Sequence, residues 1–377
     1  MDFEPTEDQR AIAELAGRIL RERLPLERLT QVDQDPDWFA RDVWQELARA
    51  GLVGAPLPER DGGGGLGILE ACLVLEEIGR TVAPVPYLAT VVLGAMPVAA
   101  FGTAAQRARL LPGVIDGSAV LTAALVEEGD ESALAPPRTR ARRDGDGFRL
   151  DGEKGFVPAL HLAARVLVPA LLDDGTTAVF VVDPATPGAT RERVVATTFE
   201  PLGMLALRGV RVSADDVLGA PGEGAAIVEW MRQRGLAGVC ATAAGVCGEA
   251  LRLTAAHVSE REQFGQKIAT FQAVAQRAAD AYVDTRAIAL TARQAAWRLA
   301  EGLPAAEALA IAKYWAADGG QRVAHAAQHL HGGLGVDTSY PLYRYFRWAK
   351  QLELSFGAAT AQLRHFGAML AERAPDA

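Results

Sequence analysis

Two short segments hold the residue types with the most chemical capability. The first is Arg261-Glu262-Gln263-Phe264-Gly265-Gln266-Lys267-Ile268, followed by Phe271-Gln272-Ala273-Val274. The second is His329-Leu330-His331-Gly332-Gly333-Leu334-Gly335-Val336-Asp337, followed by Tyr340-Pro341-Leu342-Tyr343-Arg344-Tyr345. Alone, each reads as a loop between helices, with Arg261 free to cap a helix C-terminus. In combination they offer an arginine for a dianionic pyrophosphate and glycines that let backbone N–H groups approach a nucleotide.

Other signals are weaker. The glycines at 62–67 lack the context of a dinucleotide fingerprint, which needs a preceding strand inside a βαβ unit. Leu57-Pro58-Glu59-Arg60 precedes them, so they read as a turn. His325 and His329 are spaced i, i+4 as in some zinc sites, but no glutamate follows His325 and no third ligand stands at a known spacing. No metal is expected; the imidazoles serve instead as hydrogen-bonding groups near a helix end. Cys72, Cys240 and Cys247 form no CxxC pair, and the last two share a helix face as small core residues.

These residues need elements to position them. From Pro5 to about Gly117 the apolar spacing is helical, and Thr6 with Gln9 forms a capping-box pattern. From about Ala119 to Val217 short β-rich runs alternate with turns: Ala119–Leu125, Gly147–Leu150, Arg165–Leu171, Thr177–Val182, Val194–Thr198 and Val210–Val212. Asp144-Gly145-Asp146 is a turn signal ahead of Gly147, and Asp151-Gly152 and Asp173-Asp174-Gly175 read as hairpin turns. Beyond Gly222 four long helices are expected, at 223–260, 271–302, 305–331 and 342–371. In the second, Val274, Ala278, Ala281, Thr285, Ile288, Ala292 and Ala295 form a narrow stripe suited to close helix packing. The expected fold is therefore α+β: an N-terminal helical domain over 1–118, a middle β-sandwich or barrel over 119–221, and a C-terminal four-helix bundle over 222–377.

The 38 basic and 47 acidic residues give a net charge of −9, which argues against general nucleic-acid or anionic-membrane binding. The uncharged run Thr81 to Gln106 contains Pro84, Pro86 and Pro97, so it reads as helix–loop–helix and not as a membrane span. No signal peptide follows the acidic start Met1-Asp2-Phe3-Glu4, and a cytoplasmic location is expected.

Together with the helix–strand–helix layout, these motifs resemble the acyl-CoA dehydrogenase family over essentially the whole chain. Pro58-Glu59-Arg60-Asp61-Gly62-Gly63 and Leu75-Glu76-Glu77-Ile78-Gly79 add to the likeness. The resemblance implies FAD held at a subunit interface. It assigns Arg261, Gln263, Phe264, Gln272, His329, Gly332 and Gly333 to the set that grips the pyrophosphate and adenosine of a neighbouring subunit's cofactor. The family usually has glutamine where His329 stands.

The departures from the family are equally informative. Its reaction removes an α-proton with a glutamate placed within hydrogen-bond reach. The usual place for that glutamate is held here by Phe356-Gly357-Ala358, and the alternative place on the first bundle helix falls at Gly235. No catalytic residue is therefore assigned. The flavin-facing stretches are altered too, to Thr122-Ala123-Ala124-Leu125-Val126-Glu127-Glu128-Gly129 and Phe156-Val157-Pro158. Pro158 has no hydroxyl or amide hydrogen to give the flavin ring.

This combination is similar to the non-catalytic beta subunits of actinobacterial heterotetrameric steroid side-chain acyl-CoA dehydrogenases. It implies an α₂β₂ assembly in which a homologous catalytic partner supplies the base, the ring contacts and the acyl-CoA site, with FAD shared between the two. Two alternatives stay open: a self-sufficient enzyme with its base displaced to Glu353 or Glu229, or a non-enzymatic scaffold on the same fold.

Overall fold

The computed structural model describes residues 5–130, 132–220 and 222–373. Its helices are α1 (Glu7–Arg23), α2 (Leu26–Asp33), α3 (Arg41–Arg49), α4 (Ile68–Thr81), α5 (Met96–Phe101), α6 (Ala104–Ile115), α7 (Gly224–Glu260), α8 (Gln272–Ala300), α9 (Ala306–Tyr314), α10 (Gly320–His331), α11 (Leu342–Leu354) and α12 (Ala359–Arg373). Internal contacts group the chain into two units, one comprising Met1–Thr30, Cys72–Ala83 and Leu236–Ala377, the other Gln31–Ala71 and Pro84–Gly235.

The first unit is helical. Helix α1 opens with the expected capping box: the Thr6 hydroxyl accepts the Gln9 N–H while the Gln9 amide oxygen accepts the Thr6 N–H. This satisfies two of the N–H groups that a helix start leaves without partners. In α8 the stripe residues Ala281, Thr285, Ile288, Ala292 and Ala295 are buried as expected, and Val274 and Ala278 are half-buried. Helices α9 and α10 run on through a π-helical turn, Trp315–Gly319, so the expected helix at 305–331 is one continuous rod. The expected helix at 342–371 is not. It breaks between α11 and α12, where Phe356 and Gly357 take left-handed φ values of 55° and 86°. The Gln362 side-chain amide donates to the Phe356 carbonyl at 2.9 Å and so holds the corner.

The second unit carries a mixed eight-stranded sheet: β1 (Val120–Ala123), β2 (Arg140–Asp144), β3 (Gly147–Pro158), β4 (Ala163–Leu172), β5 (Thr177–Val182), β6 (Ala189–Val195), β7 (Pro201–Ser213) and β8 (Val217–Leu218). The strand order is β6-β7-β3-β2-β4-β5-β8, with β1 beside β4. Pairings β1–β4 and β2–β4 are parallel and the rest antiparallel. Leu150 and Val157 of β3, Leu205 and Leu207 of β7, Val168 of β4 and Phe180 of β5 are buried in one shared core.

The expected turns at Asp144-Gly145-Asp146 and Asp173-Asp174-Gly175 join β2 to β3 and β4 to β5. Asp151-Gly152 is different: it lies inside β3, at a register shift opposite β7. The Asp151 carboxylate accepts the Gly209 N–H at 2.7 Å, and a Cβ on Gly152 would sit 2.7 Å from the Thr139 Cα. A turn dipeptide is here spent on a β-bulge, where backbone approaches backbone. Two other strand expectations are corrected. β6 runs over Ala189–Val195 instead of 194–198, and the arginine-rich β2 was not expected at all, since only Ala141 of its residues is buried.

The glycines at 62–65 follow a 3-10 turn, Glu59–Asp61, and precede α4. Within the stretch 81–106, Leu88–Ala95 is π-helical and leads directly into α5. Pro97 stands where the π-helical run passes into α5, one residue after Met96, whose N–H still bonds the Val91 carbonyl. By length and composition α7 could cross a membrane, yet 72% of its most apolar window is buried inside the protein.

Helices α4 and α7 cross at backbone contact. A Cβ at Gly245 would lie 1.9 Å from the Glu76 carbonyl oxygen, and one at Gly79 2.1 Å from that of Thr242. Ordinary overpacking costs about 1–3 kcal/mol, and here rigid backbone blocks the way. Gly245→Leu is therefore expected to cost at least about 3 kcal/mol, read as a lowered Cm in urea with unchanged far-ultraviolet circular dichroism before the transition.

Candidate functional site

The first segment begins where α7 ends. Glu262–Gln263 and Gln266–Lys267 pair as a short antiparallel hairpin. Its two tip residues, Phe264 and Gly265, both have positive φ, 53° and 78°. That is the signature of a two-residue primed turn, in which glycine is easy and phenylalanine is strained. Phe264 is 91% exposed and meets Phe271 edge-on at 6.3 Å. The Lys267 ammonium ties the root of the hairpin, donating to the Glu260 carbonyl at 3.0 Å and pairing with Glu262 at 2.8 Å. The exposed Arg261 guanidinium makes no ion pair among the described residues. Gln272 opens α8, whose N-cap Phe271 supplies no side-chain cap, so the Gln272 and Ala273 N–H groups have no capping side chain, while the Val274 N–H bonds the Phe271 carbonyl.

The second segment ends α10. Gly332 has φ 61° and ψ −137°, a conformation open to glycine, and a Cβ on Gly333 would meet open space. His331 is buried and stacks on His257 of α7 with ring centroids 4.4 Å apart. Its Nδ1–H donates to the Ala327 carbonyl at 2.8 Å, which leaves Nε2 to accept the Tyr340 hydroxyl at 3.3 Å. Burial holds both rings below the usual imidazole range, helped by Arg261 beside His257 and by His257 beside His331. On the face opposite, Arg277 Nη1 of α8 lies 2.5 Å from His329 Nδ1. His325 packs edge-on against Phe346. Among the described residues no cluster of three His, Cys, Asp or Glu could hold a metal.

The His257–His331 stack and the Arg277–His329 contact thus place Arg261, Gln263, Phe264, Gln272, His329, Gly332 and Gly333 at one end of the helical unit, all of them exposed. The Gln263 amide donates to the Glu262 carbonyl at 2.7 Å. The set offers a guanidinium, an imidazole, amides and backbone N–H groups, which suits an extended anionic ligand. It contains no carboxylate able to take a proton from carbon.

The positions named for a catalytic base are also resolved. Gly235 is buried, and the Phe356-Gly357 corner keeps its left-handed geometry without a carboxylate. Both displaced candidates are engaged elsewhere. Arg232 grips Glu229 with two nitrogens at 2.7 and 2.8 Å, and Gln233 adds a third bond. Lys350 pairs with Glu353 at 2.5 Å.

The stretches that the family resemblance sets beside a flavin are committed as well. The buried Thr122 hydroxyl donates to the Pro158 carbonyl at 2.6 Å. Glu127 accepts from Lys154 at 2.6 Å, from the Thr139 hydroxyl at 2.7 Å and from the Thr139 and Arg138 N–H groups. Burial pushes the Glu127 carboxyl upward, but Lys154 and these hydrogen bonds outweigh it and hold it below the usual range. Arg277, Lys154 and Lys313 belong to no motif, and sequence reasoning passed over them. Each acts through a partner distant in the chain, as Lys154 does through Glu127.

Lys313 is fully buried and donates to the Glu353 carbonyl at the end of α11, at 2.9 Å. Burial lowers its pKa to about 8, against the smaller opposing pull of Cys240 and Glu353. Between about pH 8 and its ordinary value near 10.5 the unfolded chain therefore binds more protons, so stability from this group rises with pH. Below about 8 both states are charged and the burial cost is complete. Compared with Lys313→Met, the wild type should gain stability as the pH rises from about 8 to about 10, measured by urea denaturation. A difference that stays flat over that range would refute the lowered value.

Comparison with known proteins agrees with this architecture. Residues 6–118 match the acyl-CoA dehydrogenase N-terminal domain and residues 222–370 the acyl-CoA dehydrogenase C-terminal domain. The chain is 38% identical to acyl-CoA dehydrogenase FadE27 of Mycobacterium tuberculosis over 380 residues, covering 99% of each chain. Among solved structures it is similar to the ChsE4-ChsE5 complex from Mycobacterium tuberculosis, with 38% identity, TM-score 0.93 and all of both chains covered. It is also similar to a variant of the Tcur3481-Tcur3483 steroid ACAD, with 42% identity, TM-score 0.90, and 97% of this chain and 98% of that one covered. With helical, mixed-sheet and helical regions in the family's order and relatives matching from end to end, the chain belongs to the acyl-CoA dehydrogenase family.

Proposed function

We propose that this chain is the non-catalytic, beta-type subunit of a heteromeric FAD-dependent acyl-CoA dehydrogenase that desaturates the α,β bond of a steroid side-chain CoA thioester. One observation carries the reading: the outward-facing residues of the expected clamp are present, with His329 in place of the family's usual glutamine, while neither base position holds a carboxylate. The similarity to a steroid ACAD and to the ChsE4-ChsE5 complex supports a homologous partner subunit; the α₂β₂ assembly and its place in the cytoplasm are part of the proposal. PigA, which shares this fold, is solved with FAD; FAD, when bound, supplies the hydride acceptor for desaturation.

In this reading Arg261 pairs with the pyrophosphate through its fork of donors. Phe264 covers the cofactor from the hairpin tip. Gln263, Gln272 and the uncapped start of α8 add hydrogen bonds to the same anion. His329, Gly332 and Gly333 approach the pyrophosphate and adenosine, glycine allowing backbone contact. The partner holds the isoalloxazine, the acyl chain and the glutamate that removes the α-proton. The engagement of Glu229 and Glu353 in ion pairs argues against a self-sufficient enzyme with a displaced base.

The test is expression alone and together with a homologous subunit that retains the glutamate. The chain alone should carry little flavin by visible absorbance, and the pair should carry one flavin per two chains. In the pair, Arg261→Ala should weaken flavin binding more than tenfold without separating the subunits. Glu353→Gln and Glu229→Gln should leave turnover of a steroid side-chain CoA thioester within about twofold. Flavin-loaded, active protein from this chain alone, with turnover lost in either glutamine variant, would replace the proposal with the self-sufficient enzyme. Failure to bind FAD in any combination would leave the scaffold.

A further inference from the structure

We infer that Arg277 is a positioning residue that fixes His329 as the Nε2–H tautomer, so that His329 presents a hydrogen-bond donor to the cofactor tail; this rests on the assignment of His329 to the clamp proposed above. A guanidinium carries five N–H donors and no acceptor. Arg277 Nη1 lies 2.5 Å from His329 Nδ1, so Nδ1 must face it with a lone pair. The ring proton of the neutral imidazole then sits on Nε2, at the opposite edge. His329 is exposed and lies one turn before Gly332, whose N–H closes onto the His329 carbonyl. The donor edge therefore belongs to the same rim as the open Gly332-Gly333 backbone.

Arg277 is free for this task. It makes no ion pair among the described residues, although it lines a cleft of about 560 Å³ that also holds Asp280 and Asp284. Asp284 is taken by Arg322, which grips its two oxygens at 2.8 and 2.7 Å. A histidine needs such a helper because only one nitrogen of the neutral ring carries hydrogen and a neighbour decides which. A carboxamide has a donor and an acceptor on one group and can turn the right one outward unaided. Arg277 thus lets an imidazole do here what a glutamine amide would do without assistance.

The experiment has two arms. In the first, the full chain with 15N-labelled histidine is compared with its His329→Gln variant to assign the His329 ring by two-bond 15N–1H correlations. The inference expects an unprotonated Nδ1 and a protonated Nε2, and a protonated Nδ1 overturns it. This arm needs no flavin, so it separates failure of the tautomer from failure of the flavin reading. The second arm titrates the co-expressed complex with FAD. Arg277→Leu should weaken binding about tenfold beside His329 but less than twofold beside His329→Gln. Equal losses in both backgrounds would mean that Arg277 acts on its own and would overturn the positioning role.

Discussion

Two stacked, neutral imidazoles fix the geometry on which the outward-facing residues depend. His257 ends one long helix and His331 another, and their 4.4 Å stack sets Arg261 on one side and Gly332 on the other. Stacking works because neither ring is charged. Burial opposes protonation of both, and each has a cationic or imidazole neighbour that adds to the effect. His331 is further fixed by donating to Ala327 and accepting from Tyr340, so its ring cannot turn without breaking two bonds. A proton added to either ring would have to break this arrangement or place a charge inside it. The contact therefore favours the folded state at neutral pH and weakens as acid converts the unfolded chain's histidines first.

The second constraint lies at the corner between α11 and α12. A corner with two successive left-handed residues, one of them phenylalanine, is costly unless the surroundings over-determine it. Here the Gln362 amide and the Lys313 ammonium both fasten onto carbonyls of this region. The backbone shape of this corner is thus held by polar contacts, and Phe356-Gly357-Ala358 carries no carboxylate. The sheet shows the same economy. Glu127 and Lys154 meet inside it, and a buried pair of this sort is costly to break from one side only. Its groups serve the fold and are not available to a ligand.

Local chemistry was readable from the residues, and long-range pairing was not. The Thr6–Gln9 cap, the turns at 144–146 and 173–175 and the small-residue stripe of α8 are decided within a few residues, and the structure has them where the spacing puts them. Asp151-Gly152 looks the same as a hairpin turn, but the crowding by Thr139 that turns it into a bulge comes from elsewhere in the chain. β2 escaped notice because its arginines face outward on a strand with one buried residue. The break at Phe356 depends on a glutamine six residues later. Arg277 and His329 are 52 residues apart, and nothing in either neighbourhood announces the other.

Charge balance closes the argument. In a chain with nine more acidic than basic groups, a guanidinium on the surface has many carboxylates to choose from. Arg21 and Arg252 each take one, and Arg80 and Arg322 each take two. Arg261 and Arg277 take none, and they stand at the same end of the helical unit as an uncapped helix start and an open glycine pair. Surface ion pairs are worth little, so leaving two arginines without a carboxylate costs the fold almost nothing. What it preserves is a set of donors only partly used, since Arg277 already gives one to His329, Gln263 one to the Glu262 carbonyl and Gly332 its N–H to the His329 carbonyl. Such a set stabilises an assembly only when an extended anion arrives with acceptors along its length, and the tail of a dinucleotide cofactor has that form.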